Sequence, residues 1–151
     1  MRIWHYKLLP YLPDAQFKGQ LRELVAIMHD WRDKGKTNHL LINKVMEYQR
    51  AELVRYYLAY EAEWKKRYRN WIDQKYWAEF KEFMLAPFED ADRDRKTSFS
   101  DGWHNKEYLR VCMANLYEKH VFGVGKSRIT DEEWMRLCEG YREITGEEYA
   151  I

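Results

Sequence analysis

No run in this chain approaches the roughly 18 apolar residues that a membrane-crossing helix needs. The opening also lacks the unbroken apolar core of a secretion signal, because Trp4, His5 and Lys7 interrupt it. A cytoplasmic protein with no membrane partner is therefore expected. Cysteine is scarce: nothing demands a disulfide, and Cys112 and Cys138 both fall on apolar stripes of expected helices, so buried free thiols are favoured over a bridge or a metal pair. Strand-like alternation, internal repeats and low-complexity segments are missing as well, which leaves helix as the only regular structure on offer.

Catalytic signatures are equally thin. Five histidines show no i, i+4 pairing and no Cys-x-x-Cys companion, so no metal site is expected. Ser98, Ser100 and Ser127 are the only serines and none sits in a nucleophile elbow. Two strings, "KGKT" and "GVGKS", imitate a phosphate-binding loop, but the position where an earlier glycine must stand holds Asp30 in one and His120 in the other. Both read as helix-ending turns.

What the chain does have is a large apolar supply, 46% of 151 residues with 7 Trp, 12 Tyr and 6 Phe, ample for the core of one domain. Its net charge of +1 is unevenly spread. Through Lys75 there are 15 Lys plus Arg against 9 Asp plus Glu, a balance of +6, and the remainder carries −5. A basic front half suits a polyanion, although solvated helices also reach such an excess.

Helical spacing recurs along the chain. Pro13 and Asp14 start a first helix through Phe17, Leu21, Leu24, Val25, Met28 and Trp31, ended by Lys34-Gly35-Lys36. A short second helix runs from Thr37 or Asn38 through Met46, with a polar cap at its head. The third spans about Ala51 to Arg69 and ends in cations that complement its dipole. A fourth pattern covers Trp71 to Leu85, closed by Pro87, and a polar surface loop follows over about 86–105. Lys106 to His120 is helical again until Gly123 and Gly125, and Thr130 with Glu133 forms a capping box for a last helix ending at Gly146. The expectation is an all-α fold, one compact domain of about five to six helices, with the N-terminal segment packed against the first helix.

The first helix carries the one unusual feature. On a helical wheel Gln16, Gly19, Glu23 and Ala26 gather on the side away from Phe17, Leu21, Leu24, Val25 and Met28, so Glu23 is expected to lie bare in a strip of small or polar residues. Glycine at position 19 costs the helix roughly 0.8–1 kcal/mol relative to alanine, which invites a reason such as close approach of a backbone or ligand. A solvated face with a tolerated glycine is the plainer reading.

The run "RIW…L…LPDAQFKGQLREL", followed by "DKGKTNHLLIN", resembles the pyrimidine-dimer DNA glycosylase and AP-lyase family, in a bacterial and phage branch beginning Met-Arg-x-Trp-His. The likeness is specific over about residues 1–45 and looser through the third helix. It weakens at "HNKEYLRVCMANLYEKH", and residues 71–103 have no counterpart. In that family the terminal α-amine is the nucleophile and a glutamate on the first helix its partner. The resemblance thus implies catalytic roles for the Met1 amine and Glu23, with no cofactor, acting on damaged, modified or abasic nucleotides in double-stranded DNA. Arg2, Lys18, Arg22 and Lys36 are the candidate phosphate contacts, Lys18 and Lys36 being readable equally as ordinary surface lysines. Three departures stand out: a bulky Arg2 that disfavours removal of Met1, Ala26 where the type member has arginine, and no aromatic C-terminal tail. A monomeric enzyme is expected, and a non-catalytic DNA-binding or partner-binding helical protein on the same scaffold is the alternative.

Overall fold

The computed structural model describes residues 2–35, 39–86 and 90–150, without the side chains of residues 90 and 91. The fold is all-α: α1 (Asp14–Lys34), α2 (Leu40–Val45), α3 (Arg50–Tyr68), α4 (Gln74–Leu85), α5 (Phe99–Gly102), α6 (Lys106–Val121) and α7 (Asp131–Thr145). Short 3-10 helices cover Tyr6–Tyr11, Asp90–Asp94 and Gly125–Ser127. Among the described residues there is no strand, only an isolated parallel bridge between Tyr48 and Lys96. The chain divides into two compact units, one of Met1–Ile3 with Arg22–Gly102, the other of Trp4–Leu21 with Trp103–Ile151.

Among the described residues seven α-helices stand where five to six were expected, because the polar stretch 86–105 holds one of its own. A single turn such as α5 leaves no periodic trace in sequence and cannot persist without outside support. Buried Glu52 of α3 supplies it, accepting the Phe99 amide N–H at 2.8 Å. The Phe99 ring meets Tyr48 edge-on at 4.9 Å. Gln49 N–H to Lys96 C=O and Lys96 N–H to Glu47 C=O, both 2.9 Å, tie the same stretch to the α2–α3 turn.

In the first unit α3 and α4 pack through aromatic rings, Tyr57 stacking on Phe80 at 4.2 Å, while Trp31 of α1 meets Phe83 edge-on at 5.1 Å. Burial pushes the Tyr57 phenol well above its ordinary pKa, with Glu61 adding to the effect. α4 begins three residues later than expected. Asp73 caps it by accepting the Lys75 N–H at 3.0 Å, which leaves Trp71 outside the helix with the Lys65 ammonium 3.8 Å over its ring. The polar caps expected at Thr37 or Asn38, and Pro87, lie outside the described residues.

In the second unit the segment before α1 docks on α7. The Tyr11 phenol donates to the Glu143 carboxylate, and Arg136 donates to the Pro10 carbonyl at 3.1 Å with its guanidinium over the Tyr11 ring. Gly140 makes this approach possible, since a Cβ there would lie 2.5 Å from the ring. The capping box of Thr130 and Glu133 forms as expected, and α7 ends at Gly146. Gly140→Ala is therefore expected to destabilise the protein by about 1–3 kcal/mol through overpacking, more than the roughly 1 kcal/mol that alanine returns in helix propensity. Urea unfolding measures this, and combining it with Tyr11→Ala should remove most of the penalty that Gly140→Ala imposes, because the clash is with that ring.

Candidate functional site

The buried face of α1 is not the one its apolar residues suggest. At about 100° per residue, Gln16, Ile27, Gln20, Trp31, Leu24, Phe17 and Met28 occupy one arc of about 120°, and all are buried. Leu21 and Val25 are only half-buried, so the packed face is rotated by about 60° toward the polar side. Two glutamines cause the rotation, each matched to a backbone group distant in sequence. Gln20 Oε1 accepts the Trp4 amide N–H at 2.8 Å, and Gln16 Nε2 donates to the Ser127 carbonyl at 2.8 Å. Apolar periodicity does not register such residues.

This rotation corrects the position of Glu23. Rather than lying bare on the far side, it sits at the edge of the packed arc, half-buried, and its Oε2 accepts the Arg2 amide N–H at 2.9 Å. A carboxylate that accepts an N–H makes a charge-assisted bond, stronger than a neutral one. The N-terminal segment is held by Ile3 and Trp4, both buried. Its amides at positions 2 and 4, two apart along an extended chain, find carboxylate and carboxamide oxygens on α1.

Of the other candidates, Arg22 precedes Glu23 on α1 and is exposed, and Arg2 is half-buried. Lys18 is exposed and pairs with Asp14 at 3.4 Å, one turn back on the same helix. Met1 and Lys36 lie outside the described residues. Other acidic groups of the first unit have structural work: buried Glu52 holds Phe99 and Arg55, and Asp92 accepts from the Arg50 amide at 3.2 Å and from Arg95 at 2.9 Å.

Sequence reasoning missed a buried histidine pair. His5 caps the first 3-10 helix, its Nδ1 accepting the Lys7 N–H at 3.1 Å while Nε2–H donates to the His104 carbonyl at 2.8 Å. His104 Nδ1 accepts the Tyr6 N–H at 3.0 Å. Each ring accepts a backbone N–H, so neither can take a second proton without losing a bond. Burial pushes His5 down from 6.5 to about 4, and burial with the neighbouring His5 pushes His104 down to about 3. The Trp-His pair near the N-terminus is thus a packing element of the second unit. Only the aromatic neighbours Tyr6, Trp103 and Tyr108, far apart in sequence, reveal this.

The sequence model of the pyrimidine dimer DNA glycosylase family matches residues 1–76, half of the chain. The chain belongs to that family. It is accordingly a DNA-repair glycosylase, an enzyme whose substrate is DNA. No curated protein and no solved structure matches it at a significant level. The family match takes in α1 to α3 and the start of α4, so Glu23, Arg2, Lys18 and Arg22 all fall inside it. The His104 cluster, α6 and α7 lie beyond it. No helix among the described residues is long and apolar enough to cross a membrane.

The histidine pair sets an acid limit for this glycosylase. Because both folded-state values lie below the unfolded 6.5, the unfolded chain binds more protons beneath that pH, so stability is complete above about 6.5 and declines as pH falls toward 4 and 3. The slope is about 1.4 kcal/mol per pH unit for each buried imidazole. Thermal melts should show this fall between about pH 6.5 and 4, and His104→Gln, which can still accept the Tyr6 N–H, should flatten it.

Proposed function

We propose that this glycosylase is also an AP lyase that uses the α-amine of Met1 as its nucleophile and Glu23 as the acid–base partner. The observation that carries the reading is the bond from the Arg2 amide to Glu23. That amide nitrogen is three covalent bonds from the α-amine of residue 1. Anchoring it on the carboxylate tethers the amine to within about 4 Å of the anchored nitrogen, inside the region match to the family. Glu23 is half-buried, not bare, because one of its oxygens accepts the Arg2 N–H.

An α-amine has an ordinary pKa of roughly 7.7–8.0, the lowest of the simple amines, so a useful neutral fraction exists near neutral pH. The neutral nitrogen attacks the sugar C1′ of a damaged or modified nucleotide. The N-glycosidic bond breaks and the base leaves with its electron pair, taking up a proton. Ring opening and loss of the amine protons give an imine to C1′. Removal of a proton from C2′ then expels the 3′ phosphate as the C3′–O bond breaks, and water hydrolyses the imine to free the enzyme. Glu23 stabilises the positive charge that develops at C1′ and relays the protons. An abasic site enters the same sequence at imine formation. Arg2, Arg22, Lys18 and Lys36 are assigned to phosphates, which position the duplex without reading its sequence. The Lys18 pair with Asp14 is solvent-exposed and therefore weak enough to exchange for a phosphate.

Glu23→Gln retains an oxygen that can accept the Arg2 N–H and removes the charge. The variant is expected to fold and bind DNA but to cut a duplex at a pyrimidine dimer or abasic site roughly 100-fold or more slowly. Cleavage at the wild-type rate by this variant would take Glu23 out of the mechanism.

Borohydride trapping locates the nucleophile. Wild-type protein should form a covalent adduct with an abasic duplex that peptide mass spectrometry maps to the Met1 nitrogen, and an uncleavable extension ahead of Met1 should abolish adduct and lyase activity while binding survives. A crosslink at Lys7 or Lys18 instead would overturn the terminal-amine assignment. An exposed lysine starts from a pKa near 10.4 and has a neutral fraction roughly a hundredfold smaller.

A further inference from the structure

The string "GVGKS", which is no phosphate-binding loop, belongs to a turn that exposes apolar residues beside cations. α6 ends at Val121, and Phe122 and Val124 follow with 78% and 80% of their surface open to solvent. Among the described residues only Leu40 is a more exposed large hydrophobe. The turn is nevertheless tightly held. Phe122 N–H donates to Glu118 C=O at 2.8 Å, Gly123 N–H and the returning Ile129 N–H both donate to Lys119 C=O, and Ser127 Oγ donates to Val124 C=O at 3.2 Å. Buried Gln16 of α1 grips the Ser127 carbonyl, and Ile129 is buried completely. No side chain fits at position 123, where a Cβ would lie 2.1 Å from the Lys119 oxygen.

The exposed cations are Lys126 and Arg128. Among the described residues no carboxylate pairs with either. The acidic first turn of α7 begins beyond Ile129, where Asp131 faces His120 at 3.5 Å and Glu133 is committed to the capping box. The turn thus presents an aromatic ring and a β-branched apolar side chain on a braced backbone, flanked by positive charge.

We propose that the Phe122–Arg128 turn is a duplex-DNA contact element, in which Phe122 enters the base stack while Lys126 and Arg128 hold the adjoining phosphates. The proposal rests on DNA being the substrate of this family. Apolar wedges between base steps, accompanied by cations on the backbone, are how proteins open and kink a duplex, and unstacking is what an enzyme acting on a base must achieve. Bases offer a π-face to Phe122 whatever their sequence. Bracing means that little loop freedom is lost on binding.

Fluorescence anisotropy of a duplex carrying a pyrimidine dimer, with 2-aminopurine beside it as a stacking reporter, tests this. Phe122→Ala removes an exposed ring and should leave the melting temperature unchanged. It is expected to bind roughly tenfold more weakly and to lose the 2-aminopurine rise seen with wild-type protein, which Phe122→Trp should retain. The pair Lys126→Gln and Arg128→Gln should lower the slope of log K against log salt by about two and keep the reporter signal at saturation. Wild-type protein that binds while Phe122→Ala matches it in affinity and reporter signal would overturn the assignment and leave Glu23-dependent cleavage intact. So would sedimentation showing that Phe122→Ala merely abolishes a dimer. Wild-type protein that binds no duplex would overturn both readings.

Discussion

Burying Ile3 and Trp4 obliges the amides around them to find acceptors, because an unpaired N–H shielded from water costs about 1–3 kcal/mol. Gln20 and Glu23 of α1 supply those acceptors for Trp4 and Arg2. The rotation of α1 toward its polar residues, the half-burial of Glu23 and the anchoring of the Arg2 amide on a carboxylate all follow from that requirement. The candidate chemistry depends on a bond that is first of all structural.

The same logic governs the other buried polar groups. Glu52 is carried into the core of the first unit because it holds the amide of a one-turn helix and the Arg55 guanidinium together. His5 and His104 are kept neutral in the second because burial disfavours the charged ring, and their partners are the His104 carbonyl for one and the Tyr6 N–H for the other. Gln16 holds the carbonyl that closes the turn after α6. In each case a side chain is placed by a backbone group distant in sequence, which hydrophobic patterning does not detect. Glu23 accepts the Arg2 N–H at a half-buried position, whereas buried Glu52 spends one oxygen on the Phe99 N–H and the other on Arg55.

Where the chain departs from economical packing, the departures lie on its surface. Phe122 and Val124 are displayed on a turn braced by hydrogen bonds at both of its ends, and Trp71 is left outside α4 under a lysine. Exposed apolar groups on a mobile terminus need no explanation; on a braced turn they are held out against the hydrophobic driving force that would fold them in.

Helix content, most helix boundaries and the likeness of residues 1–45 to a DNA glycosylase were legible in the sequence alone. Apolar spacing, Thr130 with Glu133, and Gly146 act locally, within a few residues of where they stand. Glu23 was legible as a candidate only through its Arg-Glu context, and its surroundings were misread because a wheel assumes that polar means outward. Tertiary structure alone decided that Glu23 faces the Arg2 amide, that α1 buries two glutamines, that residues 99–102 are helical, and that His5 packs with a residue 99 positions away. The physical reason is common to all four: each depends on a hydrogen bond between groups far apart along the chain. Such a bond leaves no period in the sequence and exists only once the helices have packed.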